Sequence, residues 1–227
     1  MSPQAMEHDG RYVPSMGRDW LLPVYDPLCR VLGMATLHRP LIEQAGLRPG
    51  HRVLEIGCGT GNLVIMAADL HPDAEITGLD PDPKALARAR RKAARRGRTV
   101  RLDQGFAERL PYADGAFDRI LSSFMFHHVE PDARPGALHE AWRVLSPGGS
   151  LHLVDVGGAI ADSDGRKARK ALRNPHLQDN LGDRIPALLR EAGFTDAGEV
   201  GHRRTRVAGR VTYVRATKPG PGAGPLP

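Results

Sequence analysis

Long apolar runs, paired cysteines and a basic leader are all missing from this chain. No stretch of its 227 residues approaches the roughly 18 apolar residues that a membrane-spanning helix needs. The first segment, MSPQAMEHDGRYVPSMGRDW, has no basic region followed by an apolar stretch. No secretory signal is therefore read there, and a cytoplasmic location is expected. Two cysteines, Cys29 and Cys58, form no C-x-x-C pair and have no histidine at metal-ligand spacing, so free thiols are expected rather than a disulfide framework or a zinc site. The chain also lacks a Walker-type lysine, a G-x-S-x-G elbow and any metal-ligand cluster, which sets aside nucleotide triphosphatase, hydrolase and metalloenzyme chemistry.

What is present is ordinary globular composition, 41% hydrophobic and 26% charged, in a length that one core can serve. The net charge of +6 owes much to a run of Arg88, Arg90, Arg91, Lys92, Arg95, Arg96 and Arg98. Such a run invites a nucleic-acid partner. No aromatic side chains are interleaved to stack on bases, however, and the same residues read as the solvated face of a helix over 83–96 with Ala85, Leu86, Ala89 and Ala93 inward. The second reading is preferred, and the sequence leaves the oligomeric state open.

Along the chain, Asp26-Pro27 opens a helix that Pro40 is expected to interrupt, followed by a short helix over 41–45. Strands are predicted at 52–56, 75–79, 99–103, 116–124 and 150–156. Helices are predicted at 62–70 and 83–96 and through Leu138, Ala141, Trp142 and Leu145, the last stopping at Ser146-Pro147-Gly148-Gly149. A helix over 185–192 and a hairpin of 194–200 with 206–216 close the order. Alternating strands and helices predict a doubly wound, Rossmann-like α/β fold, with a mostly parallel sheet of about seven strands and an antiparallel C-terminal hairpin. Residues 1–46 are expected to form an N-terminal helical cap, 47–217 the ligand-binding domain, and 218–227, rich in Gly and Pro, a disordered tail.

In such sheets ligands bind beyond the carboxyl ends of the strands. Glu55-Ile56-Gly57-Cys58-Gly59-Thr60-Gly61 stands there after the first strand, and its glycines permit a tight turn and close approach of backbone to a ligand. A dinucleotide fingerprint would set the third glycine one position later, and a carboxylate at 55 would repel a pyrophosphate. Glu55 instead suits a ligand ammonium group, and Asp80, ending strand two, suits a pair of ribose hydroxyls. S-adenosylmethionine carries both.

With those residues in view, the chain resembles the class I S-adenosylmethionine-dependent methyltransferases, in particular the type 11 methyltransferase domain that includes quinone-biosynthesis C-methyltransferases. VLEIGCGTG (53–61), GLDPDP (78–83), QGFAERLPYADGAFD (104–118), RILSSFMFHHV (119–129) and WRVLSPGGSLHLVD (142–155) carry the resemblance, in order. It implies a methyltransferase that binds S-adenosylmethionine, releases S-adenosylhomocysteine, uses no metal and acts on a small-molecule acceptor. Cofactor contacts are implied for Glu55, Gly57, Cys58, Gly59, Asp80, Pro81, Phe106, Ala107 and Phe124. One departure stands out: the family's common G-D-A-E segment, whose aspartate binds the adenine amino group, is Gly105-Phe106-Ala107-Glu108 here, and Phe106 cannot make that bond. A non-catalytic binding module and an RNA-directed methyltransferase are the alternatives.

His127 and His128 follow the fourth strand, where a histidine can take a proton from an acceptor. The preferred alternative is that one is buried and hydrogen-bonded while the other lines the pocket, because alignment of reacting atoms does most of the work in methyl transfer. Asp155 either faces the acceptor or caps the next turn. Trp20, Leu22 and Tyr25 serve equally as a lid or as packing for the N-terminal helix. The connection over 157–178, with Arg166, Lys167, Arg169 and Lys170, occupies the place of acceptor specificity.

Overall fold

A computed structural model describes residues 35–159, 180–205 and 209–222. Its sheet has seven strands in the order β3-β2-β1-β4-β5-β7-β6. β1 (Arg52–Ile56), β2 (Glu75–Asp80), β3 (Arg101–Gln104), β4 (Phe117–Ser123) and β5 (Leu145–Val156) are parallel. β6 (Thr195–Thr205) and β7 (Gly209–Thr217) form the antiparallel hairpin, with β7 paired to β5. The predicted doubly wound fold is present.

Central strands such as β1 are buried on both faces because helices cover both. On one face α1 (Ala35–Ala45), α2 (Asn62–Leu70) and α3 (Pro83–Arg95) bury Leu41, Ile42, Leu63, Val64, Leu86 and Ala89 against Val53, Leu121 and Val154. On the other, α4 (Arg134–Val144) and α5 (Arg184–Glu191) bring Leu138, Ala141 and Leu189 onto Leu54, Ile120, Leu151 and Val214. α3 begins as its sequence directs: the Asp82 side chain accepts the Lys84 amide at 2.7 Å, and Pro83 occupies the first helical position.

Two expectations are corrected. Pro40 lies inside α1 and does not end it. Proline removes the amide that would bond the carbonyl four residues back, here that of Thr36, and the Arg203 guanidinium donates to that carbonyl at 3.2 Å instead. The Tyr213 hydroxyl likewise bonds Leu37 O at 3.0 Å, and the Arg119 side chain bonds Ala45 O at 2.9 Å, so β4, β6 and β7 hold the helix. The second correction concerns Leu145, expected to lie on the helix ahead of a turn. α4 stops at Val144, and Leu145 begins β5 by pairing with Phe117. The strand runs on through Gly148 and Gly149: the Gly148 amide donates to Lys218 O at 2.9 Å and Gly149 O accepts the Lys218 amide at 2.8 Å.

Candidate active site

The loop between β1 and α2 is pulled down onto β2 by the amides of Gly57 and Cys58, which both donate to Leu79 O, at 2.8 and 3.0 Å. Gly57 and Gly59 take φ of 77° and 52°, the left-handed region that favours glycine. Their surroundings differ. A Cβ on Gly57 would collide with the side chain of Met125, whereas one on Gly59 would meet nothing within 4 Å. Gly59 therefore presents bare backbone to open space. The Cys58 side chain is buried in the core against Gly78, and burial together with the charges of Glu55 and Asp80 holds its thiol far above the usual range. Only the Cys58 backbone is left to touch a ligand.

Two carboxylates flank the loop. Glu55 is 3% exposed; the Val64 amide serves its carboxylate, while Oε2 has no hydrogen-bond partner among the described residues. Burial raises its pKa well above the ordinary glutamate value, Asp80 adding to the rise and the Val64 amide opposing it. A buried acceptor without a donor is costly unless a ligand supplies one. Asp80, at the end of β2, accepts the Gly59 amide through Oδ2 at 2.7 Å and the Asp82 amide through Oδ1 at 2.9 Å. Each carboxylate oxygen retains a second lone pair for a hydroxyl donor. Burial raises Asp80 too, against those two amides. Pro81 follows, half-buried, its carbonyl taking the Gln104 side chain at 3.1 Å.

The neighbouring strand ends complete the rim. Phe106 and Ala107, both half-buried, follow β3, and Phe106 forms an isolated bridge with Arg109. Phe124, the residue after β4, has φ of 52°, a strained setting for an aromatic residue, held by its amide on Val154 O at 2.9 Å. That turn delivers Met125 to Gly57 and opens the 3-10 turn Phe126–His128.

His127 and Asp155 meet across adjacent strands. Nδ1 of His127 lies 2.6 Å from Asp155 Oδ1, and the His127 amide donates to Asp155 Oδ2 at 3.2 Å. The Val156 amide donates to Oδ1 at 2.7 Å. Burial opposes charge on the imidazole, but the charge and hydrogen bond of Asp155 outweigh it and raise His127 above the ordinary histidine value; Arg134 pulls the other way. His128 is exposed, its ring centroid 4.1 Å from that of His127. Both Asp155 and Met125 were harder to read in sequence than the glycine loop: the first shows its partner only once β4 and β5 are known to be neighbours, and the second carries no motif.

Trp20, Leu22, Tyr25, Cys29 and the basic residues Arg166, Lys167, Arg169 and Lys170 of the 157–178 connection lie outside the described residues. Four cations of the arginine run are engaged by nearby groups. α3 runs back from the carboxyl end of β2, and Arg90 bonds Leu102 O, Lys92 bonds Asn62, and Arg96 and Arg98 both bind Asp69. Among the described residues no helix is long and apolar enough to cross a membrane, and no cluster of His, Cys, Asp or Glu is placed to hold a metal.

Comparison with known proteins agrees with this geometry. Residues 53–149 match the family described as a methyltransferase domain. A demethylmenaquinone methyltransferase of Thermus thermophilus is 38% identical over 138 residues, which cover 60% of this chain and 62% of the relative. The chain thus spans less than two thirds of that curated relative. Among solved structures, a SAM-dependent methyltransferase from Methanosarcina mazei aligns with a TM-score of 0.66 at 22% identity, over 80% of this chain and 98% of the other. One from Thermotoga maritima, described as a possible histamine N-methyltransferase, aligns at 0.64 and 24% identity, over 88% and 96%. Residues 53–149 are a methyltransferase domain, and the chain that carries them has the Rossmann-like fold of the S-adenosylmethionine-dependent methyltransferases.

Proposed function

We infer that the chain transfers the methyl group of S-adenosylmethionine to a small-molecule acceptor by in-line displacement. The observation that carries this is the buried Glu55 carboxylate, whose Oε2 has no partner among the described residues, beneath a glycine loop tied to Asp80. The donor set fits the cofactor from end to end. Glu55 would take the ammonium group, the Gly57, Cys58 and Gly59 backbone would line the methionine portion, and Asp80 beside Pro81 would take the ribose hydroxyls. Ala107 would offer its amide to the adenine ring, Phe106 would pack against it, and Phe124 would border the site at the end of β4. When bound, the cofactor supplies an electrophilic methyl on a sulfonium. The chain's own part is to orient the acceptor and exclude water.

The name of the Thermus relative supports a quinone-type or phenolic acceptor for this chain. An RNA acceptor gains no support from the arginine run, in which Arg90, Lys92, Arg96 and Arg98 are engaged with Leu102, Asn62 and Asp69. Incubation with methyl-labelled cofactor and a panel of hydroquinones, phenols, small amines and bulk RNA tests the reading. Label in a small molecule supports it; label in RNA alone, or in nothing, counts against it.

A further inference from the structure

We propose that this chain holds its cofactor by the amino-acid and ribose ends and leaves the six-amino group of the purine unread, so that it accepts cofactors whose purine carries or lacks that group. The proposal rests on the methyl-transfer reading and adds to it the class of cofactor that the site admits.

The chain leaving β3 lies against the end of β2. The Gly105 amide donates to Asp80 O at 3.3 Å, and a Cβ on Gly105 would press on Leu79 Cδ1 at 2.9 Å. A ribose held by Asp80 would therefore set its base against residues 105–107, beyond the carboxyl ends of both strands. The Arg109 amide donates to Phe106 O at 3.2 Å, which closes a turn and gives that carbonyl an internal partner.

This stretch has little to offer an N–H group. Phe106 presents an aromatic ring, and the carboxylates of residues 103–118 are placed elsewhere. Asp103 takes the Tyr112 hydroxyl at 3.0 Å and the Arg101 guanidinium at 2.8 Å. Asp114 pairs with Arg143 at 2.7 Å and Asp118 with Arg52 at 2.8 Å. Glu108 is exposed, with its Cβ beside Gly136 of α4. Gln104 is anchored through its amide nitrogen on Pro81 O and pairs with Asp80 in the sheet, at the ribose end.

An amino group carried into such a site gives up its water without a replacement, which costs binding free energy. An aromatic ring stacks on the π-face of any purine and makes no demand of the group at carbon 6. The other two ends of the cofactor meet built partners, the unpartnered Glu55 Oε2 and the Asp80 carboxylate. Selectivity is set there.

Calorimetric titration, without any turnover, decides the proposal. The probe is the analogue of S-adenosylhomocysteine with hydrogen in place of the six-amino group, which keeps the ring nitrogens, the ribose and the amino-acid end. Wild type should bind the analogue as tightly as S-adenosylhomocysteine or more tightly. Binding weaker by more than about threefold, the mark of a lost hydrogen bond, overturns the proposal. The comparison is repeated in Phe106→Asp, whose carboxylate can accept the amino group. The variant should prefer S-adenosylhomocysteine over the analogue by about tenfold or more, whatever packing it loses, because lost packing weakens both ligands alike. No preference in a folded variant puts carbon 6 away from residue 106 and overturns the proposal; the wild-type comparison decides it alone where the variant does not fold. Failure of wild type to bind either ligand would instead strike the methyl-transfer reading beneath it.

Discussion

Asp80 Oδ2 accepts the amide of Gly59 at 2.7 Å, so the end of β2 fixes the shape of the loop that follows β1. Asp80→Ala leaves that amide and the Asp82 amide without their acceptor in a buried setting, at about 1–3 kcal/mol for each donor. The variant should melt at lower temperature and bind S-adenosylhomocysteine at least about tenfold more weakly. Calorimetric titration and a thermal melt check both. Wild-type affinity in this variant would mean that the ribose site is misplaced.

Gly57 and Gly59 should respond differently to the same added methyl. Gly57→Ala combines a positive φ with a collision against Met125, so its main effect should be on stability. Gly59→Ala meets open space and should cost only the backbone term, about 1–2 kcal/mol. Its methyl stands where a ligand would approach, so it should lose more cofactor affinity than stability. Paired melts and titrations on the two variants test this; equal affinity losses with equal stability losses would contradict it.

Phe106 is the position where this chain departs from the G-D-A-E pattern. Phe106→Asp should tighten S-adenosylhomocysteine binding by one net hydrogen bond, about 0.5–1.5 kcal/mol. Unchanged or weaker binding would show that the phenyl ring contributes packing that a carboxylate cannot replace.

Burial lowers the pKa of His38 to about 4 and, helped by the Arg119 and Arg215 charges, that of His152 to about 3. His152 is the more tightly held, bonded to Gln44 at 3.1 Å and Ser150 at 2.8 Å. Between the ordinary value of 6.5 and these depressed values the unfolded chain binds protons that the folded chain refuses. Stability therefore falls as pH falls through that window, by up to about 1.4 kcal/mol per pH unit for each histidine. His127 acts in the opposite sense: its raised value adds stability that is present below the ordinary histidine value and lost as pH rises through the raised one. Urea melts of wild type and His152→Gln at pH 7, 6 and 5 isolate one contribution, since the variant's slope should be shallower, by an amount that approaches about 1.4 kcal/mol per unit toward pH 5. Identical slopes would contradict the assignment.

The sheet and the glycine loop were legible because their signals are local. The apolar run 52–56, the glycines after it and the stripe of α2 sit within twenty residues, and β1 and α2 have the predicted bounds. Pro40 misled because its remedy is 167 residues from the carbonyl it leaves bare: Arg203 reaches Thr36 only after the sheet has formed. Leu145 misled because pairing with Phe117 outweighs a helical spacing that ends at a turn signal. The Asp155 contact with His127 depends on strand order, which periodicity alone does not give. Glu55 and Asp80 could be picked out as acids at strand ends, but the unpartnered Oε2 that distinguishes Glu55 is a property of the fold.

The most direct measurement is isothermal titration of the purified protein with S-adenosylhomocysteine, with NADH as the comparison ligand. The account predicts saturable heat with S-adenosylhomocysteine and none with NADH, because a Glu55 carboxylate would accept an ammonium group and repel a pyrophosphate. Heat with NADH and none with S-adenosylhomocysteine would contradict the account.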